Sequence, residues 1–160
     1  LSTMELCGEL RRGLFVRGLS AAQFAPAERV DRLRSRRERA AGPVLLNSCD
    51  PAHVGAAIGA PLPGEAPIAR RPSSYVVLEG GAVVLTAEGA GKRLTLDATA
   101  PPARQLRWLE LLAGLLRRGF RAVRVEQING APAPASPLRP LLEQLGYSQD
   151  GAALERRRFG

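Results

Sequence analysis

Histidine, cysteine, lysine and aromatic side chains are scarce in this chain, and each scarcity excludes chemistry. The 160 residues include 1 histidine, 2 cysteines, 1 tryptophan, 2 tyrosines and 4 phenylalanines. Two thiols and one imidazole cannot complete a four-ligand zinc site without carboxylates, and no C-x-x-C spacing occurs. With His53 the sole histidine, neither a Ser-His-Asp set nor a histidine metal cluster is expected. No apolar run reaches the 18 residues that a membrane-spanning helix needs. Cys7 and Cys49 fit a reduced, cytoplasmic setting. No signal sequence opens the chain at Leu1, which reads as the start of a fragment of a longer protein.

What is abundant is arginine. It supplies 22 of the 23 basic residues, with Lys92 the lone lysine, against 15 acidic residues and a net charge of +8. GC-rich coding accounts for arginine in place of lysine, but not for the excess of positive over negative charge. Guanidinium presents a rigid bidentate fork to phosphate, so a nucleic-acid surface is the favoured reading. The apolar fraction of 45% is ordinary for a globular protein. A chain of this length buries roughly 68–70% of its unfolded surface, enough for a real core.

The stretch from Gly8 to Ala25, GELRRGLFVRGLSAAQFA, organises the rest. Two short apolar runs flank Arg11-Arg12-Gly13, and Gly13 suits the positive φ of a three-residue hairpin loop. A basic hairpin leading into a helix is the wing of a winged-helix domain; an ordinary hairpin with solvated arginines is the alternative. Pro26 suits the first turn of a helix with Val30 and Leu33 on its apolar stripe, ending near Ala41 with Gly42 as cap. Val44–Asn47 reads as a buried strand. Residues 48–72 read as a long loop, with Asp50 in an Asp-Pro turn and Arg70 and Arg71 at its end.

Residues 74–96 predict a three-stranded meander with a tight turn at Gly80-Gly81. Gly89-Ala90-Gly91-Lys92 faintly suggests a phosphate loop. It lacks the earlier glycine, where Thr86 stands, and the Ser or Thr after lysine, where Arg93 stands. Residues 102–118 predict a helix, on which Trp108 reads as core; stacking on a base is the competing role. A strand with Val123 and Val125, an Asn129-Gly130 turn, a helix capped by Ser136 and stopped by Gly146, and a basic final strand over 154–158 complete the chain. The fold class expected is α+β: a wing-like hairpin and helix over 1–42, then an α+β module over 43–160, its mixed or antiparallel sheet curled in a barrel-like way under two or three helices.

The opening stretch resembles the C-terminal region of Lhr-type (large helicase-related) ATP-dependent helicases. That family carries G-E-[IL]-R-x-G-x-F-V-x-G-x-x-x-x-Q-F-A, then a helix and a D-P-A motif. Gly8, Glu9, Leu10, Arg11, Gly13, Phe15, Val16, Gly18, Gln23, Phe24 and Ala25 match, as do Asp50, Pro51 and Ala52. His53 stands where the family has asparagine. The resemblance implies a parent 3′–5′ DNA helicase acting in repair, whose ATP and Mg²⁺ sit in a motor elsewhere. It implies no catalytic residue, cofactor or metal for this chain. The implied role is an accessory module that grips DNA, single-stranded, duplex or in an RNA–DNA hybrid, through Arg11, Arg12, Arg17, Arg70 and Arg71. A homo-oligomerisation or protein–protein module is the second expectation. A repair active site using Asp50 or Asp97 is a third.

Overall fold

A computed structural model describes residues 2–16, 19–35, 42–53, 55, 68–117 and 119–158. The chain divides into two units, residues 1–41 and 42–160. In the first, helix α1 (Ser2–Leu6) precedes strand β1 (Leu10–Gly13), strand β2 (Gln23–Pro26) and helix α2 (Ala27–Ser35). β1 and β2 pair antiparallel, from Leu10 opposite Pro26 to Gly13 opposite Gln23.

This corrects the expected hairpin. Arg11, Arg12 and Gly13 lie within a strand, and the connection is residues 14–22. The reason lies at Gly13, which makes room for a ring and does not turn the chain. A Cβ there would stand 2.9 Å from the Phe15 ring. The helix that follows begins after Pro26 and buries Val30 alone, while Leu33 is exposed. Its expected end near Ala41, like Arg17 and Gly18, lies outside the described residues.

The second unit holds a six-stranded sheet. Its strands are β3 (Val44–Asn47), β4 (Tyr75–Glu79), β5 (Ala82–Glu88), β6 (Arg93–Leu96), β8 (Gln127–Ile128) and β9 (Ala131–Pro132), adjacent in that order. Neighbours pair antiparallel except β6 and β8, which run parallel. The meander read from residues 74–96 is therefore the middle of this sheet. The order is open, with β3 and β9 as its edges, so no closed barrel forms among the described residues.

Helix α3 (Pro102–Arg117) sends Trp108, Leu109, Leu112, Leu115 and Leu116 into one cluster with Val77, Leu85 and Leu94. Full burial of each such side chain stabilises the fold by about 1.5–3 kcal/mol. Trp108 is 1% exposed, which settles it as core. Its indole N–H donates to Glu79 Oε2 at 3.1 Å, and Arg104 Nη2 donates to the same oxygen at 2.6 Å. The Arg104 guanidinium also lies 5.4 Å from the indole centroid.

A second, three-stranded sheet has the order β10 (Ser148–Asp150), β11 (Ala153–Arg157), β7 (Ala122–Val125), all antiparallel. The run 122–128 reads as one strand but serves two sheets, changing over at Glu126. Asn129 fastens the changeover: its side chain accepts from Leu96 N and donates to Leu96 O. The last helix, α4 (Arg139–Gln144), begins later than expected. Ser136 ends a short 3₁₀ turn over Ala133–Ala135, and its hydroxyl accepts from Leu138 N, so Leu138 is the helix N-cap.

Candidate nucleic-acid interface

Successive strand residues point to opposite faces. Arg11 and Arg12 therefore cannot act as a paired turn tip. Arg11 lies 3.5 Å from Asp31 of α2, both side chains about half exposed. Arg12, opposite Phe24, is exposed, and no carboxylate among the described residues pairs with it. The two arginines thus differ: one is partly neutralised within its own unit, the other is available to an external anion.

The loop beside them is built by one side chain. Gln23 Oε1 accepts from Phe15 N and Val16 N, both at 2.8 Å, while Nε2 donates to Val16 O and Leu19 O, both at 3.2 Å. One amide thus replaces the backbone partners that an irregular loop lacks. Sequence reasoning placed Gln23 in a motif without seeing this role; a glutamine beginning a strand beside a glycine-containing loop was the available signal.

Arg70 and Arg71 are exposed in the extended segment before β4, in the second unit. The backbone of Arg71 is fixed by Ser48: its N–H donates to Ser48 Oγ, and its carbonyl accepts from that hydroxyl at 3.1 Å. The Ser48 hydroxyl also donates to Ala69 O. The segment is anchored while its guanidinium groups stay in solvent.

Other candidates resolve into turns. Asp50 Oδ1 accepts from Ala52 N at 2.8 Å, and Asp50 O accepts from His53 N. Asp97 Oδ1 accepts from both the hydroxyl and the N–H of Thr99, which hold its carboxyl below the usual range. His53 is buried, and no cluster of three His, Cys, Asp or Glu residues able to hold a metal occurs among the described residues. Gly89–Lys92 is a turn between antiparallel strands. Gly91 has φ +100, and a Cβ there would lie 3.0 Å from Val123 Cγ1. Lys92 Nζ sits 3.2 Å from Glu126. That arrangement does not fit a triphosphate.

Residues 1–44 match the model of the winged-helix domain of large helicase-related protein. The chain is 32% identical to the Lhr helicase/uracil glycosylase of Escherichia coli over 96% of its own length and 10% of that protein's. It is 39% identical to the Lhr helicase/probable uracil glycosylase of Mycolicibacterium smegmatis, over 81% of its own length and 9% of that protein's. The chain belongs to the Lhr family and corresponds to its C-terminal region. It spans about a tenth of the length of these relatives. No helix among the described residues is long and apolar enough to cross a membrane.

Proposed function

We propose that this region is a non-motor accessory domain of an ATP-dependent DNA helicase, gripping DNA during repair. The carrying observation is the exposed state of Arg12, Arg70 and Arg71, which no carboxylate pairs with among the described residues, in a chain of net charge +8. Such groups contact phosphates and release counterions, so they position a strand without reading its bases. ATP and Mg²⁺ belong to the motor elsewhere in the protein. The two thiols are unpaired, which suits the reducing cytoplasm. The relatives' second printed activity, uracil glycosylase, gains no support from Asp50 or Asp97, whose carboxylates accept hydrogen bonds inside their own turns.

The test is DNA binding by the purified chain across a salt series. Affinity that falls with salt alike on unrelated sequences supports the reading; absence of binding at low salt refutes it. A second reading, assembly with another protein or a second copy, has one observation in its favour. The first unit exposes Met4, Leu6, Leu14, Phe15 and Leu33, Leu6 by 87% and Leu14 by 73%. A mass that rises with concentration in sedimentation, without DNA affinity, would favour it.

A further inference from the structure

The small sheet β10-β11-β7 has two chemically different faces. Paired residues on antiparallel strands share a face, so the register sorts its charges. One face carries Asp150, Glu155, Arg157 and Arg124. These neutralise one another: Arg124 Nη1 donates to Asp150 Oδ2 at 2.9 Å and to Glu155 Oε2 at 3.2 Å, and Arg157 Nε donates to Glu155. The other face begins as core, with Leu154 opposite Val125, all but inaccessible. It continues with Arg156 opposite Val123, and just past the strand ends the Arg158 N–H donates to Arg121 O at 2.9 Å, which sets those two arginines across from each other.

Arg121, Arg156 and Arg158 have no acidic partner among the described residues. Like charges facing each other across two adjacent chain segments repel, and no carboxylate among the described residues pairs with Arg121 or Arg158 to offset that cost. Arg156 is drawn against the core rim. It passes the open flank of Gly146, where a Cβ would lie 3.7 Å from Arg156 Nε. Beside it is Tyr147, 3% exposed, whose hydroxyl has no hydrogen-bond partner among the described residues. Burial pushes that phenol's pKa up, and the Arg156 charge opposes the shift.

Resting on the DNA-binding reading above, we infer that Arg121, Arg156 and Arg158 form a phosphate-binding row for the backbone of a single DNA strand. Alternate residues along a β-strand stand about 6.6–6.8 Å apart, close to the step between neighbouring phosphates on one strand. Arg156 and Arg158 can thus meet successive phosphates while Arg121 flanks the second. Arg156 and Arg158 follow one strand on one face, with Arg121 across from Arg158, and so narrow a strip suits one backbone better than the two diverging backbones of a duplex.

The experiment uses the intact chain and a labelled oligothymidylate in a salt series. Each phosphate contact on a single strand contributes about 0.7 to the slope of log affinity against log salt. R121Q/R156Q/R158Q should lower that slope by about 2, while the corresponding triple lysine variant keeps most of it. R29Q/R32Q/R34Q on α2 removes the same charge and should lower it by less than half as much. Trp108 fluorescence reports whether the core survives. If the triple glutamine variant does not fold, R121Q/R158Q alters only exposed side chains and should lower the slope by about 1.4. An unchanged slope in the folded glutamine variants, or an equal loss from α2, overturns the row and leaves the wider reading standing. No binding by the unmodified chain overturns both.

Discussion

Arg11 and Arg12 are neighbours in sequence with different prospects. The Arg11–Asp31 pair is exposed, and such pairs contribute roughly 0–1 kcal/mol. Arg12 has no such partner to give up. Arg12→Ala should reduce the salt slope on duplex DNA by about 0.9, one phosphate contact, and Arg11→Ala by less. Equal slopes for the two variants would show that the ion pair is irrelevant to binding. Trp108 offers the matching test of the core. Trp108→Ala should destabilise by about 3–5 kcal/mol in a denaturant melt, since the ring is enclosed and its N–H is spoken for. A loss under about 1 kcal/mol would contradict the burial.

At the scale of elements, two junctions matter most. Gln23 holds the 14–22 loop, so Gln23→Leu strands the amides of Phe15 and Val16. Hydrogen exchange at both should accelerate while the β4–β6 amides stay protected; uniform exchange would assign the loop's order to something other than Gln23. Gly91 lets the turn before β6 pass under Val123. Gly91→Ala should cost about 1–3 kcal/mol from its positive φ and the tight contact, measured by urea unfolding. Elements with a strong period were legible from the sequence. The leucine spacing of α3 gave its ends nearly to the residue, and the turn glycines marked where β4, β5 and β6 lie within residues 74–96. The hairpin was misread because a glycine between apolar runs signals a turn, whereas Gly13 accommodates a ring. β10 was missed because Ser148, Gln149 and Asp150 are all exposed and carry no alternation. The exposed arginines could be named from sequence, but their faces depend on register. That is why the sequence alone could not set Arg121, Arg156 and Arg158 together, nor show Asp31 beside Arg11.

Over the whole molecule, carboxylates tie the charge balance to pH. Arg104 holds the Glu79 carboxyl below its usual range, and Arg157 does the same for Glu155. Lower folded values mean that the unfolded chain binds more protons in acid. The stabilisation is complete above about pH 5, the region where unfolded carboxylates have lost their protons, and fades as pH falls through the folded values. Tm should therefore be flat from about pH 5 to 8 and drop below that, and Glu79→Gln should blunt the drop. A Tm falling equally in both proteins would remove Glu79 from the account. The same arginine excess underlies the central claim, that this region holds DNA by its phosphates. The most direct measurement is the affinity of the intact chain for two DNA strands of unrelated sequence across a salt series. The account predicts parallel straight lines of log affinity against log salt, steeper than about −2 for three or more contacts. A flat line, or strong preference for one sequence at all salts, would contradict it.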